Sequence, residues 1–160
     1  MRTIENWYSE YAESHKNIVN QRIHFICVPL IFFSIVGLFM SIPNDLLSNL
    51  SNDKDLLFTN WAWVALILPM IFYIRLSFEV FFRMFLFSLI CIIGNYLFSE
   101  YLSLGWTSIV IFVVAWAGQF YGHHLEGKKP SFFKDLQFLL IGPAWVFEKI
   151  YKKESTAQKS

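Results

Sequence analysis

Residues 24–42 read HFICVPLIFFSIVGLFMSI, and Pro43 follows. This run contains no Asp, Glu, Lys or Arg, and its 19 residues are enough to cross a bilayer as one helix. Three further apolar runs lie at about 61–76, 84–98 and 106–122. Each has about 15–17 apolar residues, the low edge of what spans hydrocarbon. Hydrophobic residues make up 56% of the 160, aromatics 19% and charged residues 16%. A water-soluble domain of this size has no interior large enough for that apolar surface, so the excess faces lipid. The reading is an all-α, polytopic membrane protein with about four transmembrane helices, forming one membrane-embedded domain over 1–160.

The remaining segments fit around these spans. Residues 1–22 form an amphipathic region with Trp7, Tyr8 and Tyr11 clustered on one side. Asn44–Asn60 is a polar loop rich in Asn, Asp and Ser. The link RLSFEVFFR, 75–83, is apolar for a loop and is expected in the membrane interface. Residues 136–150 are too short to span and contain Gly142-Pro143, so they are expected to be interfacial or re-entrant. No apolar stretch is followed by a small-residue cleavage site near the start, so no signal peptide is expected. Cys27 and Cys91 sit in apolar runs and form no CxxC, which reads as small core residues. The net charge of +1 and the lack of a basic–aromatic tract exclude a nucleic-acid partner.

Lysine and arginine set the orientation. With four spans and both termini cytoplasmic, 12 of the 13 basic residues lie inside, and only Lys54 is translocated. Translocating 136–150 would carry lysines across as well. The expected location is an integral membrane protein with cytoplasmic termini, in the inner membrane of a bacterium or the endoplasmic reticulum of a eukaryote.

This topology gathers the chain's four histidines at one face. His15 and His24 precede the first span, and His123 and His124 close the fourth. Imidazole is costly inside hydrocarbon and is the commonest metal ligand near neutral pH, so placement at span ends points to a site. His15 and His24 are nine apart, half a turn out of phase on one helix, and can converge only across a break. Asn17 is a candidate N-cap for a helix starting there, and Asn17, Asn20 and His24 then share a face. His123 and Glu126, at i and i+3, share a face too, while His124 points about 100° away. His15, His24 and His123 are therefore candidate ligands, with Glu126 as a carboxylate ligand or supporting partner. Asn17 and Asn20 stand beside them. Such a set suits non-haem Fe(II) and also Zn(II). The alternative is that all four are amphipathic interfacial residues. Lys128 and Lys129 read as topology determinants or headgroup contacts. Gly118 and Gly122 form a small-xxx-small pair that lets the fourth helix pack closely on a neighbour. Asn95, in mid-span, is expected to make an interhelical hydrogen bond.

Two blocks carry a resemblance. They are WYSEYAESHKNIVNQRIHFICVPLIFF (7–33) and WAGQFYGHHLEGKKPSFFKDLQFLLIGPAWVFEKIY (116–151). Together they resemble the signature of the DUF962 family, also called Mpo1-like, through HxN…N…IHF.CVP and QF.GH..EG.KP. The family's fungal member is an endoplasmic-reticulum Fe(II)-dependent dioxygenase that shortens 2-hydroxy fatty acids by one carbon in phytosphingosine degradation. The resemblance implies Fe(II) as cofactor, His15, His24 and His123 as catalytic ligands, and a long-chain 2-hydroxy fatty acid with O₂ as substrates. His124 falls where other members carry other residues, and Ile18 stands where many have proline. Lys128 or Lys129 is then a candidate for meeting the substrate carboxylate. The competing readings are a zinc- or iron-dependent membrane lipid hydrolase or hydroxylase, and a non-enzymatic membrane scaffold. Homo-oligomerisation is compatible with each.

Overall fold

The computed structural model describes residues 3–13, 15–127 and 140–149, and every regular element among them is helical. The helices are α1 (Ile4–Glu13), α2 (Ile18–Met40), α3 (Asp45–Ser51), α4 (Trp61–Leu76), α5 (Phe78–Ser99) and α6 (Leu104–Glu126). Residues 140–149 are helical as well. The expected all-α class is the one found. Helices α2, α5 and α6 have 23, 22 and 23 residues and are long and apolar enough to cross a membrane. Helix α4 has 16 residues. At 1.5 Å per residue it reaches about 24 Å, against about 30 Å of hydrocarbon. Three helices thus meet the length criterion where the sequence suggests about four spans.

Local chemistry explains where the helices begin and end. Asn17 caps α2: its Oδ1 accepts from the Val19 N–H at 2.8 Å, and its carbonyl accepts from the Gln21 N–H at 3.0 Å. Asn60 caps α4 in the same way, accepting from the Ala62 N–H at 3.0 Å. Helix α3 stops at Asn52, in the left-handed region at φ 55. Helix α6 stops at Gly127, at φ 70, where a side chain would be strained.

Two segments differ from the sequence reading. The polar loop at 44–60 contains the short helix α3. The apolar link at 75–83 is mostly helix: only Ser77 is extended, at φ −168 and ψ 136, and its N–H still bonds the Tyr73 carbonyl. Helix α5 therefore starts at Phe78, six residues before the expected boundary. The reason is the cost of unpaired backbone in an apolar setting, which favours continuing the helix up to the single residue that turns the chain. Glu79 and Arg83 pair one turn apart near the start of α5.

Contacts divide the chain into two compact units, Met1–Pro29 with Ala115–Ser160, and Leu30–Val114. Within the second, α4 and α5 pack along each other. Helix α5 there reverses the soluble pattern. Its buried face carries Ser88 and Asn95 alongside Val80, Met84 and Cys91, while Phe82, Leu86, Ile90, Ile93 and Leu97 are exposed. Polar groups inside and hydrocarbon outside are what lipid, not water, selects. The Asn95 amide donates to the Phe33 carbonyl of α2 at 3.0 Å and to the Cys91 carbonyl at 2.9 Å, the interhelical bond expected from sequence. Gly37 abuts Asn95 Oδ1 and Ser108 Oγ, leaving no room for a Cβ.

Within the first unit, the C-terminal part of α6 crosses the N-terminal part of α2 antiparallel. A Cβ on Gly118 would lie 2.7 Å from Cys27 Sγ, and one on Gly122 would strike the Asn20 side-chain amide. The two glycines of the small-xxx-small pair are thus where the helices touch. That close approach brings the two histidine-bearing helix ends together.

Candidate metal centre

His15 lies in the turn between α1 and α2, His24 two turns into α2, and His123 in the last turn of α6. All three are buried, at 3%, 1% and 7% exposure. Ring centroids are 4.3 Å apart for His15–His24, 5.0 Å for His24–His123 and 5.3 Å for His15–His123. One ring nitrogen from each lies within 4.8 Å of the others. Three imidazoles converging in a buried space from residues 15, 24 and 123 require a tertiary explanation. The break that sequence phase demands is present: α1 ends at Glu13 and α2 begins at Ile18.

Hydrogen bonding decides which nitrogen each ring offers. His15 Nδ1 is 2.7 Å from the Tyr11 carbonyl, and His24 Nδ1 is 3.0 Å from the Asn20 carbonyl. A carbonyl can only accept, so both Nδ1 atoms carry the proton and donate. Nε2 then holds the lone pair, the tautomer a metal ligand needs. Around an ion with bonds of about 2.1 Å, neighbouring nitrogens sit roughly 3–3.5 Å apart. Side-chain shifts of about an ångström would bring the 4.8 Å group to that spacing. The donor set therefore fits a divalent ion.

Aromatic side chains wall the group. Tyr11 stacks flat on His15, with centroids 4.1 Å apart and planes at 9°. Trp145, from the helical residues 140–149, lies 4.9 Å from Tyr11, 5.7 Å from His15 and 6.1 Å from Phe25. Residues 141–146 are all buried. This part of the segment expected at the interface or as a re-entrant piece thus packs against Tyr11, His15 and Phe25. Burial among aromatic rings lowers the local dielectric, which strengthens any electrostatic interaction inside.

The other residues singled out from sequence have separate places. Glu126 lies outside the three-nitrogen group. Its carboxylate accepts from the Lys16 N–H at 2.9 Å, the Asn17 N–H at 2.9 Å and the Asn20 side-chain amide at 3.1 Å. Asn17 serves as the α2 cap. Asn20, fully buried, supplies the carbonyl that orients His24. His124 is exposed. Lys128 and Lys129 lie outside the described residues. Sequence reasoning missed Tyr11, Gln21 and Trp145. Tyr11 had a usable signal, since it stands four residues before His15 as Asn20 does before His24, the spacing at which a helical carbonyl meets an imidazole. Gln21 holds the turn by donating from Nε2 to the His15 carbonyl at 2.7 Å. Trp145 had no local signal.

A family profile described as 2-hydroxy-palmitic acid dioxygenase Mpo1-like matches residues 1–154. The chain belongs to the Mpo1-like family. Comparisons with curated proteins and with solved structures return no match. The Mpo1-like match takes in every residue of the buried histidine group, the α1–α2 turn and the wall provided by Trp145.

Proposed function

We propose that this Mpo1-like protein is an Fe(II)-dependent dioxygenase that shortens long-chain 2-hydroxy fatty acids by one carbon. The observation that carries the reading is the buried group of His15, His24 and His123, in a chain whose family is described as 2-hydroxy-palmitic acid dioxygenase Mpo1-like. Fe(II), held by His15, His24 and His123, would supply Lewis-acid and oxygen-activating chemistry toward a 2-hydroxy acid. The overall change balances with no further reductant. A 2-hydroxy acid and one O₂ give the acid one carbon shorter, carbon dioxide and water, as the C1–C2 bond breaks.

The chain's own residues bind, orient and shield. Tyr11 and Asn20 present carbonyls that hold the His15 and His24 rings with Nε2 inward. Tyr11, Phe25 and Trp145 exclude water and offer an apolar surface beside the reacting carbons. The acyl tail lies between helices or in the surrounding lipid. Lys128 or Lys129 meets the carboxylate, and Lys128→Ala is expected to raise KM with little change in kcat. With the 16-residue α4 as the fourth crossing, both termini face the cytoplasm. Cysteine labelling from each side should therefore place Ser48 and Ser155 on opposite sides of the membrane, and finding them on one side would remove this topology.

The test of the activity compares 2-hydroxypalmitate with palmitate, using purified protein supplied with iron or with zinc, in air and without oxygen. Expected is iron- and O₂-dependent formation of the C15 acid from 2-hydroxypalmitate only. Equal processing of both acids, or turnover with zinc alone, would replace the oxygenase by a hydrolase.

A further inference from the structure

Glu126 stands where its own helix does not want it. A carboxylate in the last turn of α6 faces the negative end of that helix's dipole. Its hydrogen bonds explain the placement, because all of them reach the start of α2, 106 to 110 residues away in sequence. Oε1 accepts from the Lys16 N–H at 2.9 Å and from the Asn17 N–H at 3.2 Å. Oε2 accepts from the Asn17 N–H at 2.9 Å and from Asn20 Nδ2 at 3.1 Å. The positive end of α2 thus receives the charge that α6 would repel.

The backbone groups of His15 and Asn17 and the N–H of Lys16 each have a partner. The His15 N–H bonds the Ala12 carbonyl, and the His15 carbonyl takes Gln21 Nε2. The Asn17 carbonyl takes the Gln21 N–H. The successive donors on Lys16 and Asn17 are satisfied by Glu126. Without it these two N–H groups would lose the carboxylate that pairs them, leaving the Gln21–His15 bond and the Asn17 cap to hold the turn to α2. The chain direction through the turn decides whether the His15 ring faces His24 and His123 or points half a turn away.

We propose that Glu126 is a positioning residue, a latch whose carboxylate ties the end of α6 to the α1–α2 turn and so sets His15 against His24 and His123. It acts through the backbone of the turn and through Asn20, not as a ligand. The same carboxylate also couples the two ligand-bearing segments, since His123 lies three residues before it and Asn20 orients His24. This deepens the proposed metal-centre reading and rests on it for the consequence, though the latch itself is a property of the turn.

The experiment uses the full chain in lipid nanodiscs with Co(II) as the probe ion, comparing wild type with Glu126→Ala, Glu126→Gln and Glu126→Asp. Backbone hydrogen exchange at Lys16 and Asn17 is followed in parallel. Removing groups that orient metal ligands typically weakens metal binding 10–100-fold. Glu126→Ala is expected to lose about that much Co(II) affinity, to keep the wild-type visible spectrum once saturated, and to exchange faster at Lys16 and Asn17. Glu126→Gln, which keeps one acceptor oxygen, should fall between the two. Glu126→Asp should recover part of the protection, and it serves as the comparison if the alanine variant does not fold. A changed spectrum at saturation in Glu126→Gln would overturn the proposal by making the carboxylate a ligand. Unchanged exchange at Lys16 and Asn17 would overturn it by removing the latch. If wild type takes up no Co(II), the metal reading fails alone, and the exchange measurement still decides the latch.

Discussion

Replacing His24 with alanine is expected to remove bound metal and turnover together. His24 is 1% exposed, donates from Nδ1 to the Asn20 carbonyl, and lies 4.3 and 5.0 Å from the His15 and His123 rings. An ion held by three side chains loses a third of its protein ligands in this variant. The loss should exceed the roughly 10–100-fold that follows from removing an outer partner. His15→Ala and His123→Ala should behave alike, because each supplies one nitrogen to the same group. His124→Ala should keep both metal and activity, since that residue is exposed and one position out of phase. The measurements are iron per chain and rate of acid shortening, with helix content by circular dichroism to confirm folding. Full iron occupancy in any of the three variants would take that histidine out of the site.

Gly122→Val is expected to disable the site without touching a ligand. A Cβ at 122 would collide with Asn20 Oδ1 and come within 3.5 Å of Ile23 Cγ2, and valine adds two methyl groups beyond it. Asn20 cannot retreat freely, because its carbonyl holds His24 and its amide donates to Glu126. Helix α6 must move instead, carrying His123 away from His24. Overpacking of this kind costs about 1–3 kcal/mol. If that cost falls on the metal-bound arrangement, affinity drops about 5- to 150-fold, at 1.4 kcal/mol per factor of ten. Tyr121→Ala, one residue earlier on the exposed face, is the control and should leave metal binding unchanged. Wild-type affinity in Gly122→Val would mean that the α2–α6 contact does not govern histidine spacing.

These two predictions draw on different kinds of information. The histidines, their placement at the ends of apolar runs, and the need for a break between His15 and His24 were all readable along the chain. So was the Asn17 cap, because capping is local chemistry between residues two or three apart. The small-xxx-small pair at Gly118 and Gly122 marked a close helix contact without naming the partner. The start of α5 at Phe78 was not readable, because apolar residues in a lipid-facing helix look the same as apolar residues in an interfacial link.

Composition and the lengths of the apolar runs by themselves determined an all-α chain built on long apolar helices, since the length of a run and its lack of charge are properties of short windows. Only the tertiary structure decided which imidazoles meet and what Glu126 does. At i+3 from His123, a carboxylate looks equally suited to a metal or to a neighbour. The choice depends on what lies opposite that face, and this is the N–H-rich start of a helix more than a hundred residues away. Trp145 is the same case, because the wall it forms on His15 depends on packing between distant segments that no local pattern encodes.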